Sequence, residues 1–182
     1  MEPVEPATRP TLGTRGERSA RDMLLALAVL LVPIALLLMF YRVVLNGDAP
    51  RSIDPGSAIA EAQSAKAFPV AVPADLGDDW HVVSATFQRQ AAGVTLRLGY
   101  VDPDDNGLQL IESSVPPATL LPAELTTGAK PVDTFRDDAR VWRRYDARPG
   151  EQALVFSEPN RTLIVVGDAG SRYLETLAAA LP

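Results

Sequence analysis

The residues best placed to do chemistry are few, and their types narrow the choice at once. The chain has one histidine, His81, and no cysteine. A serine hydrolase triad would have to use His81, which follows Trp80 at the start of a predicted strand, and no Gly-x-Ser-x-Gly turn exists to present a serine. Zinc takes three or four nitrogen, sulfur or oxygen ligands, usually several His or Cys, and the composition argues against it. No Gly-x-x-x-x-Gly-Lys or Gly-x-Gly-x-x-Gly phosphate loop occurs. What remains for catalysis is carboxylate chemistry, such as glycoside cleavage by Asp78 or Asp79 working with Glu112. No cofactor and no catalytic set are expected.

Two local patterns suggest binding instead. In Asp102-Pro103-Asp104-Asp105-Asn106-Gly107, the oxygen-bearing Asp102, Asp104 and Asn106 take the first, third and fifth places of a calcium loop, with Gly107 in the sixth. The twelfth place is Ser113 rather than a bidentate Glu, strands rather than helices flank the segment, and Asn-Gly is the preferred centre of a tight hairpin. A hairpin turn is the expectation, with a weak calcium site at Asp102, Asp104 and Asn106 as the alternative. The second pattern is Arg136, Arg140, Arg143, Arg144 and Arg148, threaded with Trp142 and Tyr145. On a strand, Arg140, Trp142 and Arg144 share one face, and Val141, Arg143 and Tyr145 the other. Arg140, Trp142 and Arg144 are thus a candidate patch for anionic lipid headgroups or wall polymers. The competing reading sends the aromatics into the core and pairs the arginines with Asp133, Asp137, Asp138 and Asp146, acids that nearly neutralise the stretch.

The elements that position these residues start with an apolar run, Met23 to Tyr41, free of charge, amide and glycine. Nineteen helical residues reach roughly 28 Å, close to the hydrocarbon thickness of a bilayer. The bilayer is therefore the partner expected for residues 23–41. Ser19 and Asp22 have the spacing of a capping box, and Pro33 marks a possible bend. Arg9, Arg15, Arg18 and Arg21 precede the run, against Arg42 and Arg51 after it, which predicts a cytoplasmic N-terminus and an extracytoplasmic C-terminal domain. A cleaved secretory signal would have a shorter apolar core ending in a small-x-small site, whereas Phe40-Tyr41-Arg42-Val43-Val44-Leu45 follows here. An uncleaved signal anchor is the reading.

Residues 46–182 carry 12 Lys and Arg against 19 Asp and Glu, a net charge near −7. That balance disfavours nucleic acid, whose binding rests on neutralised phosphates. The organisation expected is a disordered cytoplasmic tail (1–18), a transmembrane segment (19–45), a linker (46–56) and an extracytoplasmic α+β domain (57–182). Within the domain, Ser57 to Phe68 is alanine-rich and helical, and Phe68 to Pro73 is extended by its prolines. Strand composition marks Trp80–Gln88, Val94–Val101, Leu108–Ser114, Val132–Phe135, Ala139–Asp146, Glu151–Ser157 and Thr162–Gly167. One helical turn is expected around Ala118 to Leu125. Ser171 to Leu181 is the best soluble helix, its stripe of Tyr173, Leu174, Leu177, Ala178 and Leu181 suited to covering one face of an antiparallel sheet.

Several of these segments together carry a resemblance: Arg21-Asp22-Met23 opening the apolar run, Phe68-Pro69-Val70-Ala71-Val72-Pro73, Asp79-Trp80, Leu98-Gly99-Tyr100-Val101, Arg140-Val141-Trp142 and Val165-Val166-Gly167-Asp168-Ala169. The chain resembles the actinobacterial domain of unknown function 4245 over about residues 18–182. The resemblance implies a single-pass membrane protein in the envelope of a high-GC Gram-positive bacterium, and it brings no catalytic residues. More distantly, the proline-aromatic opening and the closing glycine-then-helix are similar to the alpha-beta-alpha sandwich of photosystem accessory and Mog1-like domains, a likeness of fold alone. The functional expectation is a non-catalytic accessory or binding module serving an unknown envelope protein or ligand. Its rivals are a structural subunit of a membrane complex and a carboxylate-based envelope hydrolase.

Overall fold

The computed structural model describes residues 20–44, 51–168 and 171–182. The predicted tail (1–18), the Ser19 cap and residues 46–50 of the linker lie outside the described residues. The chain divides into two units, Met1–Ala49 and Pro50–Pro182.

The first unit contains helix α1, Ala20–Val44, 25 residues that run through Pro33 without interruption. Its stretch Arg21–Tyr41 has a mean hydropathy of 3.0, and none of it is buried against protein. Length and composition alone make it able to cross a bilayer.

In the second unit, α2 (Gly56–Ala65) presses Ala58 and Ala62 against the sheet. It ends three residues short of the predicted Phe68. Lys66 turns into the left-handed region at φ 52° and donates its backbone N–H to the Gln63 carbonyl, and Pro69 bars its predecessor from helical geometry. Residues 67–80 then form an extended strap that buries Phe68 and Ala71.

Seven strands follow: β1 (His81–Gln90), β2 (Gly93–Val101), β3 (Gly107–Ser113), β4 (Pro131–Arg136), β5 (Val141–Asp146), β6 (Gln152–Ser157) and β7 (Thr162–Gly167), with α3 (Pro117–Glu124) between β3 and β4 and α4 (Ser171–Ala179) last. They make one antiparallel sheet in the order β1-β2-β3-β7-β6-β5-β4. Two meanders thus meet where β7 pairs with β3, and α3 lies in the one long connection. All of β7 is buried, because it sits mid-sheet with apolar layers on both sides. The chain entering the domain adds one further bond at the β1 edge, Ile53 N–H to the Val82 carbonyl, 2.8 Å.

Alternation divides the strands between two cores. On one face Leu96, Leu98, Tyr100, Leu108, Leu110, Trp142, Leu154, Leu163 and Val165 pack under α2 and α4, whose Leu174, Leu177 and Ala178 are fully buried. On the other face Ile111, Tyr145, Ala153, Val155, Ile164 and Val166 pack under α3 through Leu120, and under Leu125 just beyond it. The fold is α+β, with helices against an antiparallel sheet as the patterning predicts. At Gly167 the β3–β7 contact is so close that a Cβ would lie 2.2 Å from the Gly107 carbonyl oxygen and 3.0 Å from Leu108 Cα.

Two turns differ from expectation. The β2–β3 hairpin is not centred on Asn106-Gly107. Its β-turn spans Asp102 to Asp105, with Asp105 at φ 62°, and Gly107 already pairs with Val101. Strand β5 begins at Val141 rather than Ala139, since Asp137 Oδ1 accepts the N–H groups of Ala139 and Arg140 and folds 137–140 into the β4–β5 turn.

Candidate functional site

Of the predicted anionic-ligand patch, β5 does place Trp142 and Arg144 on one face, but that face lies under α4. Trp142 is fully buried, packs on Phe156 at a centroid distance of 5.6 Å and donates its indole N–H to Asp137 Oδ2 at 2.8 Å. Arg144 pairs with Glu175 of α4 and donates to Gln152 Oε1 at 3.2 Å. Arg140 sits in the preceding turn, not on the strand. There it pairs with Asp137, lies over the Phe156 ring and donates to the carbonyls of Leu181 and Pro182. Burial works against the Asp137 charge, yet hydrogen bonds from Trp142, Ala139 and Arg140 and the Arg140 charge hold its carboxyl below the usual range. These three residues clamp α4 and the segment after it onto the sheet.

The predicted calcium ligands are also brought together, but the Asp102 oxygens are taken by the loop's own donors. Asp102 is buried, and its Oδ1 accepts the backbone N–H groups of Asp104 and Asn106, both at 2.9 Å. Asn106 turns its Nδ2 donors, not its carbonyl, toward both Asp102 oxygens at 3.2 and 3.1 Å. Asp104 instead reaches the Tyr173 hydroxyl, and accepting that proton raises the phenol's pKa. Among the described residues no cluster of three His, Cys, Asp or Glu could hold a metal ion.

The carboxylates named for glycoside chemistry are not brought together. Asp78 and Asp79 are exposed ahead of β1. Registers align His81 with Val101 and Val101 with Gly107, so Glu112 lies five residues, roughly 17 Å, beyond the level of His81 along the sheet. His81 has its Nδ1 3.5 Å from the Ser52 hydroxyl.

Glu112 is the most deeply buried charged side chain among the described residues. It follows Leu108 and Leu110 on the inward face of β3 and is 0% exposed. Its carboxylate accepts the Ala71 N–H through both oxygens, at 3.2 and 3.0 Å, and meets Arg161 Nη1 at 3.3 Å. Arg161, itself 6% exposed, donates to the Pro69 carbonyl and pairs through Nε with Glu158 at 2.8 Å. Burial pushes the Glu112 carboxyl up to about 7, against the pull of Ala71 and Arg161. Tyr100 is pushed up to about 12 by its own burial and by the Glu112 charge. The group seals the strap onto the sheet.

A cleft of about 1080 Å³ opens at the ends of β4, β5 and β6, lined by Asp133, Arg144, Asp146, Arg148, Glu151 and Gln152 among others. Glu151 Oε2 is shielded from solvent without a hydrogen bond, and the nearest cation, Arg148 Nη1, is 3.7 Å away. Charged donors and acceptors on an open wall suit recognition of a polar group.

A family model described as a protein of unknown function, DUF4245, matches residues 15–181. The chain belongs to the DUF4245 family. The match takes in α1 as well as the whole sheet, so the DUF4245 pattern joins the apolar helix to the α+β domain. No curated protein matches the chain.

Proposed function

We propose that this DUF4245 protein is a single-pass membrane protein of the actinobacterial envelope, with its N-terminus in the cytoplasm and residues 51–182 outside. The domain acts as a non-catalytic accessory module that engages an envelope partner or ligand. The observation that carries the reading is α1: a segment of mean hydropathy 3.0 over Arg21–Tyr41, with no protein covering its side chains. Left in water, each of its leucines would forgo about 2 kcal/mol of burial. The four arginines ahead of the apolar run at Met23 support a cytoplasmic N-terminus. A non-catalytic role is supported by the placement of Glu112, whose carboxyl titrates near neutrality but is sealed under the strap, out of reach of a substrate. The polar cleft beside Glu151 is the natural place for a partner's charged group.

Protease shaving of intact cells carrying a C-terminal epitope tests the reading. Loss of the epitope while cytoplasmic markers survive is the expected result. Full protection in cells whose other surface proteins are cleaved would overturn it.

A further inference from the structure

The five arginines of residues 136–148 do not share one fate. Arg140 and Arg144 are spent inside the fold, and Arg148 faces Glu151. Arg136 and Arg143 are exposed, and neither has a hydrogen bond or ion pair with any described residue. Register puts them together: Arg136 pairs with Val141 and Arg143 with Thr134, so all four side chains share the face opposite Trp142. The two arginines are diagonal neighbours, roughly 7–8 Å apart across the β4–β5 hairpin, where like charges repel. Sheet alternation sends the strand acids, Asp133 and Asp146, to the other face, and Asp137 is tied to Trp142 and the turn. The nearest other acid in sequence is exposed Asp138 of the turn. Beside the arginines, Val132 in the β4 bulge is 57% exposed and Val141 is 43% exposed. Lys130 is exposed just before the strand.

We infer that this outer face of the β4–β5 hairpin, centred on Arg136, Arg143, Val132 and Val141, docks on the anionic phospholipid surface of the bilayer. Two unmet cations in a net-acidic domain complement anionic headgroups, and the flanking valines fit the apolar boundary just beneath them. A soluble anion would need the charges without the exposed valines. The inference rests on the anchored reading, because α1 keeps the domain close enough to the membrane for weak contacts to matter.

The test uses the full chain reconstituted into vesicles. Since the protein has no cysteine, Thr134→Cys gives a single label on the hairpin face and Glu61→Cys a control on α2. The readout is quenching of the attached dye by headgroup-spin-labelled lipid. Vesicles with about a third phosphatidylglycerol should quench the Thr134→Cys label about twofold more than phosphatidylcholine alone. The gain should vanish in about 0.5 M NaCl and in Arg136→Gln/Arg143→Gln, with the control label unaffected. Equal quenching on both lipids, or a gain that survives the double substitution, overturns docking. Flotation with phosphatidylcholine vesicles separates the two claims: a chain that fails to float refutes the anchor, whereas one that floats without the lipid-dependent gain refutes only the docking face. An intact hairpin in the double variant is verified by urea unfolding that matches the parent.

Discussion

Replacing Glu112 with Gln should abolish a pH dependence built into the core. Burial raises the folded-state pKa of Glu112 from 4.5 to about 7, so the folded chain binds this proton more tightly than the unfolded chain does. The resulting stability is fully present below about pH 4.5 and is lost as the pH rises through about 7. At about 1.4 kcal/mol per pH unit, the domain should gain roughly 2–3 kcal/mol between about pH 8 and about pH 5. Asp137 acts in the opposite sense, its lowered pKa confining its effect to more acid solution. In Glu112→Gln the amide oxygen can still accept from Ala71 or Arg161, while the titrating group is gone. The slope should therefore flatten, while Arg161 keeps Glu158 and the Pro69 carbonyl as partners in the variant. The assay is urea unfolding of the full chain in detergent at several pH values, followed by tryptophan fluorescence, because Trp80 and Trp142 both lie in the domain. Wild-type stability that is flat or rises with pH across this window, or a variant that keeps the wild-type slope, would refute the reasoning.

Other consequences follow from packing and from the turn. Leu177→Ala removes a fully buried anchor of α4 and should cost about 3 kcal/mol in the same unfolding assay. Gly167→Ala forces a methyl into the β3 backbone at Gly107 and Leu108, and a loss of about 2–3 kcal/mol is expected, read as a lower thermal midpoint. Asp102→Ala strips the acceptor from the Asp104 and Asn106 N–H groups and should cost about 2 kcal/mol. In the parent protein, added calcium chloride should leave the thermal midpoint unchanged, because those oxygens are already occupied.

Most of the secondary structure was legible because its burial is periodic. Val94, Leu96, Leu98 and Tyr100 alternate against Thr95, Arg97 and Gly99, and β2 runs through all seven. Leu174, Leu177, Ala178 and Leu181 form the stripe that α4 buries. Turn details were less legible, since side chains competed for backbone donors. The Asp102 carboxylate moved positive φ to Asp105, and the Asp137 carboxylate held Arg140 off β5. The hardest feature was the Glu112 cluster. It joins Ala71, Glu112 and Arg161 only because β3 and β7 are sheet neighbours and the strap crosses above them. Local patterns carry period and polarity, but not the order in which two meanders meet. The same limit applied to the arginines: alternation sorted them onto two faces, and only the position of α4 determined that Arg144 meets Glu175.

The proposed outward placement of the domain on a membrane helix is tested by single-cysteine labelling in a chain that has no cysteine of its own. Thr8→Cys lies in the tail and Ser157→Cys at the exposed end of β6. A membrane-impermeant maleimide added to intact cells should label Ser157→Cys at once and Thr8→Cys only after lysis. Labelling of Thr8→Cys alone before lysis would reverse the orientation, and recovery of the labelled chain in the soluble fraction would contradict the anchor itself.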